Sequence, residues 1–150
     1  MPAPIPRPLT DYPQTTFDKL RYNDTDRQGH VNNAVFATLL ETGRVEFLYA
    51  PDGALHAPGC AFVIAGLTLS FLKEINWPGR VDIGTGVTDI GRSSFTLSQG
   101  LYQNGQCVAM AQTTIVQMNE GSRRSHPLSD ATQQRLQTLK LPAHEANTEA

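Results

Sequence analysis

Two carboxylates spaced two residues apart, Asp24 and Asp26, precede His30 and the pair Asn32-Asn33, after which a long apolar stretch begins. An acid beside a helix start is a chemically useful pairing. A carboxylate can attack as a nucleophile or activate a water. The unpaired N–H groups of a helix's first turn can stabilise the negative charge that then develops. An acid placed just ahead of a helix N-terminus supplies both. The plainer reading of Asp26 is a loop carboxylate that binds neighbouring N–H groups. Asp24 reads as structural, orienting the loop through Arg21 or backbone donors, although two acids this close can also raise one pKa by repulsion. His30 either holds the loop as a neutral, hydrogen-bonded residue or contacts a substrate. Glu41 is a second acid further on, and its plainer reading is an i,i+3 pair with Arg44.

The elements that must position these groups follow from the pattern of apolar residues. Asn32 or Asn33 can cap a helix, and Ala34, Val35, Ala37, Leu39, Leu40, Val45, Phe47 and Leu48 cover most of its circumference. Such a helix is expected to be wrapped by other structure. It is predicted over 33–49, with Pro51, Asp52 and Gly53 ending it. Gln14–Tyr22 reads as a first strand. Alternation then predicts strands over 61–75, 80–90, around Phe95–Tyr102, and over 108–118. The last is more uniformly apolar, as expected of burial on both faces. Asn104-Gly105 marks a hairpin turn, and Ser129-Asp130 can cap a short helix over 131–139. Strand, long helix and then about four antiparallel strands make an α+β layer of one helix on one sheet.

Composition narrows the function. At 150 residues the chain is long enough for one domain with its own core. A net charge of −2 and no long basic run disfavour a nucleic-acid partner. No apolar run approaches the ~18 residues needed to span a bilayer. The opening MPAPIPRPLTDYP has five prolines and no apolar core of a secretory signal. Cys60 and Cys107 lack metal-binding spacing and read as reduced core thiols. A cytoplasmic protein is expected, with residues 1–13 as a proline-rich flexible arm, 14–141 as one domain and 142–150 as a flexible tail. There is no G-x-S-x-G, HExxH, P-loop or complete G-x-G-x-x-G, and Gly84-x-Gly86 alone supports no nucleotide site.

Three stretches carry a resemblance: DTDRQGHVNNAVFATLLETGR (24–44), FLKEINWPGRVDI (71–83) and IGRSSFTLSQGLYQNGQCVAMAQTTIV (90–116). Together they resemble the hotdog-fold acyl-CoA thioesterases of the 4-hydroxybenzoyl-CoA thioesterase type, over roughly residues 14–129. Trp77-Pro78-Gly79-Arg80 stands where that family commonly has a Gly-Asp turn. The resemblance implies an antiparallel sheet of about five strands wrapped around one long central helix. It also implies dimers, often paired into homotetramers, with active sites at the dimer interface. Asp26 would be the catalytic carboxylate and the Asn33 backbone N–H the oxyanion donor, with His30 beside them. Glu41 gains weight as the alternative acid because another hotdog branch carries its carboxylate on the helix. Arg92, in the matching GRSSF segment, is the best phosphate ligand for CoA, with Ser93, Ser94, Lys73 and Arg80 as further substrate contacts and Arg123 and Arg124 as weaker candidates. No metal or redox cofactor is implied, since CoA enters as part of the substrate. The expected reaction is hydrolysis of an acyl-CoA to a free acid and CoA. The alternatives are an acyl-carrier-protein thioesterase and a non-catalytic acyl-CoA-binding protein.

Overall fold

A computed structural model describes residues 5–49 and 53–143. Helix stops assigned to Pro51 and Asp52, and the tail from 144 onward, lie outside these residues. The element order is β1 (Gln14–Lys19), α1 (Asn33–Leu48), β2 (Cys60–Phe71), β3 (Arg80–Ile90), β4 (Ser94–Gln103), β5 (Gln106–Asn119) and α2 (Asp130–Thr138). The five strands form one antiparallel sheet in the order β1-β3-β4-β5-β2. The α+β architecture expected from the sequence is present, and β3 has the predicted bounds. The first strand stops at Lys19 rather than Tyr22, because the chain turns into a 3-10 helix over Tyr22–Asp24. Likewise β2 ends at Phe71, and the residues up to Ile75 serve the site loop instead.

Alternation puts Val81, Ile83, Thr85 and Val87 of β3 on the same face as Phe95, Leu97, Gln99 and Leu101 of β4 and Ala109, Ala111, Thr113 and Ile115 of β5. The helix α1 lies against this face, mainly on β3, β1 and β4. Two apolar clusters result. One, at the N-terminal end of α1, includes Leu20, Phe36, Leu40, Ile75, Ile83 and Leu101. The other includes Phe47, Leu48, Val87, Phe95, Leu97 and Leu136. Between them sits a polar layer. Buried Gln99 donates from Nε2 to the Leu40 carbonyl at 3.0 Å and to Thr85 Oγ1 at 3.0 Å. Gly43 faces the same spot, where a Cβ would fall 2.6 Å from Ile83 Cγ2 and 2.8 Å from Gln99 Nε2. The expectation of a helix wrapped all round is met on one side only, since Val45 and Tyr49 remain exposed. Similarly, β5 is not buried on both faces along its length: Gln112 is exposed on the outer one.

The proline-rich arm is not a free segment over its described residues. Arg7 and Tyr12 are buried, and Leu9–Asp11 forms a 3-10 turn. The Tyr102 hydroxyl donates to the Arg7 carbonyl, and Arg7 Nη1 donates to the Pro142 carbonyl at 2.9 Å. The reason lies in β3 and β4. Gly84 and Gly100 pair directly, and the Tyr12 side chain fills the space a Cβ at either would need. Gly84 and Gly86 are therefore docking space for the arm and for Leu141. Removing the ring in Tyr12→Ala should cost about 3 kcal/mol. The midpoint in a thermal melt followed by circular dichroism should fall by roughly 10 °C, whereas a free arm would leave it unmoved.

Candidate active site

The loop between β1 and α1 is built on Asp24. Its buried carboxylate accepts from the Arg21 backbone N–H at 2.8 Å and from Arg21 Nη2 at 3.1 Å. Its carbonyl accepts from Asn32 N–H at 2.8 Å. This is the structural role expected of Asp24. A tight turn follows, in which Asp26 N–H donates to the His30 carbonyl at 2.6 Å and Gly29 takes φ +85°. Only glycine adopts that conformation without strain. The returning chain is pinned to the β2–β3 connection: Val31 N–H donates to the Ile75 carbonyl at 2.9 Å, and His30 bridges Asn76.

Within this turn the two oxygens of Asp26 differ. Oδ1 accepts from Gln28 N–H at 2.8 Å and from His30 N–H at 3.2 Å. Oδ2 has no partner among the described residues, and the side chain is exposed. The bland role of Asp26, binding loop N–H groups, is thus real but uses one oxygen. At the helix start Asn32 is the cap, its Oδ1 accepting from Ala34 N–H at 2.9 Å and its carbonyl from Val35 N–H at 2.9 Å. Asn33 N–H is left without an acceptor among the described residues. It carries the partial positive charge of a helix N-terminus.

Asp26, His30, Asn33, Phe36 and Phe71 line one cavity of about 400 Å³, together with Lys73 and Glu74. Phe36 and Phe71 meet edge to face with centroids 5.0 Å apart and give it an apolar wall. His30 Nε2 lies 2.9 Å from Glu74 Oε2. Glu74 was not expected; the only sequence signal was a charged pair, Lys73-Glu74, just past an apolar strand. Lys73 extends from this cavity to a second, polar one of about 570 Å³, where its Nζ donates to Gln106 Oε1 at 3.1 Å.

Other expected residues lie elsewhere. Glu41 is exposed on α1 and does not line the cavity. Burial pushes the Arg44 guanidinium down from its usual pKa, and the Glu41 charge opposes that shift. The expected i,i+3 pair is not formed, however: no ion pair joins the two, and Arg44 Nη1 is buried without a hydrogen-bond partner among the described residues. Arg80 sits at the site end of β3, bound to Asp82 at 2.7 Å and stacked 4.2 Å over Phe17. Arg92, Ser93 and Ser94 are not at the site of their own chain. They form the turn at the other end of β3, roughly 30 Å along the sheet at the usual rise per residue. There Arg92 and Ser93 carbonyls accept from Leu128 and Gln117 N–H groups at 2.8 Å. Arg123 and Arg124 share that far end.

Residues 20–136, which hold this loop, helix and sheet, match the profile of the Thioesterase-like superfamily. The chain belongs to that superfamily. Its fold is shared by solved structures, among them proteins described as thioesterases. The PA5185 protein of Pseudomonas aeruginosa superposes with a TM-score of 0.81 at 22% identity, over 93% of this chain and 100% of that one. A predicted thioesterase from Bacillus stearothermophilus gives 0.77 at 26% identity, over 87% and 98%. A Thermus thermophilus thioesterase complexed with coenzyme A and zinc gives 0.75 at 28% identity, over 87% and 96%. No curated protein matches the chain. The thioesterase-like fold is thus the hotdog expected, with the loop that bears Asp26 inside the matched region.

Because the buried Asp24 carboxylate holds the Arg21 end of the thioesterase-like loop, Asp24→Ala should cost about 2 kcal/mol, as the Arg21 backbone N–H and guanidinium lose their acceptor. Hydrogen exchange should speed up across residues 21–32 while β4 stays protected; uniform exchange throughout would place the effect in the core instead.

Proposed function

We propose that the protein hydrolyses an acyl-CoA, releasing a carboxylic acid and CoA. The observation that carries this is the unpaired Asp26 Oδ2 in the same cavity as the unpaired Asn33 N–H. In one route Oδ2 attacks the thioester carbon and the C–S bond breaks as the thiolate leaves. The resulting mixed anhydride is then opened by water. In the other route Oδ2 takes a proton from water, the hydroxide attacks, and the departing thiolate recovers a proton. Both start at Oδ2, and both place negative charge on a carbonyl oxygen that Asn33 N–H can stabilise. His30 and Glu74 hold the cavity wall, so His30 acts here as a positioning residue. Family membership supports thioester hydrolysis, and the Thermus relative bound to coenzyme A supports CoA over a carrier protein. Among the described residues, no helix is long and apolar enough to cross a membrane. A cytoplasmic setting, where free thiols such as Cys60 and Cys107 persist, is part of the same reading.

A second copy completes the site in this reading. Strand β2 is twelve residues long and stands at the sheet edge without proline or lysine to guard it. Ile64, Leu67 and Phe71 are exposed along it, and Val45 of α1 and Tyr49 at the C-terminal cap of that helix are exposed as well. Antiparallel pairing of two β2 edges about a two-fold axis would cover these residues. It would also lay the far end of one chain against the site end of its partner. Arg92, Ser93 and Ser94 could contact a substrate only if supplied in this way. Assembly of such dimers into tetramers rests on the family resemblance alone.

Asp26→Asn keeps Oδ1 as an acceptor and removes the charge. Free-thiol release across a panel of acyl-CoAs should fall at least 10³-fold, with the melting midpoint nearly unchanged; undiminished turnover would sink the assignment. In Leu67→Asp, sedimentation should show monomers and thiol release should drop in parallel. A fully active monomer would remove the second copy from the site.

A further inference from the structure

The aromatic residues beside the site loop point outward. Tyr22 is 73% exposed and Trp77 42% exposed, yet both rest on rigid backbone. The Tyr22 turn is held by the Arg21–Asp24 bonds, and the Tyr22 carbonyl accepts from Thr25 Oγ1 at 2.7 Å. Next to Trp77, Asn76 is clamped by Gln103, which accepts from Asn76 N–H at 3.0 Å and donates to its carbonyl at 2.8 Å. The two rings have centroids 5.3 Å apart with planes at 73°. A flat heterocycle laid on one ring therefore meets the other edge-on. Large aromatics held rigid and exposed in this way present binding area at little entropic cost.

Basic side chains flank this corner. Lys19 and Arg80 pair directly across β1 and β3, the Leu20 N–H donates to the Gly79 carbonyl at 2.9 Å, and Arg21 adjoins Tyr22. All three are exposed, and Lys19 Nζ has no partner among the described residues. The corner is continuous with the site, because Trp77 follows Asn76, the residue bridged to His30. An aromatic plane and phosphates joined by a short linker match this arrangement.

We propose that Tyr22 and Trp77 stack the adenine of the CoA nucleotide, with Lys19, Arg21 and Arg80 around its phosphates. This rests on the acyl-CoA reading above. It places the nucleotide on the same chain as Asp26 rather than on the Arg92 turn of a second copy. Stacking tolerates imprecise geometry because it needs only a π-face, and it contributes substantially per base.

Trp77 is the sole tryptophan of the chain, so its fluorescence reports on the corner directly. The wild-type protein is titrated with ADP, CoA and pantetheine, which requires no turnover. ADP and CoA should quench or shift the emission and pantetheine should not. Tyr22→Ala, which keeps the reporter, should weaken ADP binding about tenfold. For an acyl-CoA that is hydrolysed, the same variant should raise KM about tenfold, with kcat unchanged and no change for the same acyl group on pantetheine. Equal effects on both thioesters would mean a structural role and overturn the proposal. Unchanged emission with ADP and CoA would overturn it as well, even if thiol release proves the hydrolase reading right. A response to an acidic carrier protein but not to ADP would reassign the corner to protein docking. Loss of ADP binding in Arg92→Ala with Tyr22→Ala unaffected would move the nucleotide to the second copy. Quenching by ADP in a protein that releases no thiol would leave the corner standing and sink the hydrolase reading alone.

Discussion

The placement of α1 depends on one buried amide. Gln99 reaches from β4 to the Leu40 carbonyl and to Thr85, and it can do so because Gly43 presents no side chain there. A backbone carbonyl inside a helix is normally engaged within it. Here that carbonyl takes a second donor, which ties the helix to the sheet at a fixed height. Everything at the N-terminal end of α1 inherits that height, including the direction of the Asn33 N–H. A helix shifted by one turn would set a side chain against Ile83 and leave a buried amide without its acceptor.

The same layer divides the interior into two apolar clusters with different tasks. The cluster around Leu40 and Ile83 supports the loop that carries Asp26, through Leu20, Val31 and Ile75. The cluster around Phe95 and Leu97 receives α2 and the chain that follows β5. Buried Gln117 joins that second region by accepting from Ala57 N–H and donating to the carbonyls of His126 and Pro127. The site thus hangs on one half of the core, while the other half closes the sheet at its far end.

Much of this was legible in the residues. The period-two runs gave the strands, and Asn104-Gly105 gave the hairpin, with φ 53° and 79° at the two positions. Asp24, Asp26 and the Asn pair located the loop. Three things were not legible, each for a physical reason. The arm looked unpacked because its receptor, Gly84 with Gly100, lies some seventy or more residues away and glycine has no hydrophobic signature. Gln99 fell in an apolar period as a single polar residue, and only the opposing Gly43 explains it. Arg92 was assigned by resemblance, which gives a residue a role without saying which end of the sheet, or which copy, presents it.

The unequal oxygens of Asp26 have a stereochemical consequence. A free carboxylate can swing about its Cβ–Cγ bond and offer either oxygen, but here two backbone donors hold Oδ1 and stop that exchange. A planar carbonyl whose oxygen accepts from Asn33 N–H would then face Oδ2 with one of its two prochiral faces and not the other. Handedness at a centre that never becomes a lasting stereocentre would be set by a four-residue turn closed at Gly29.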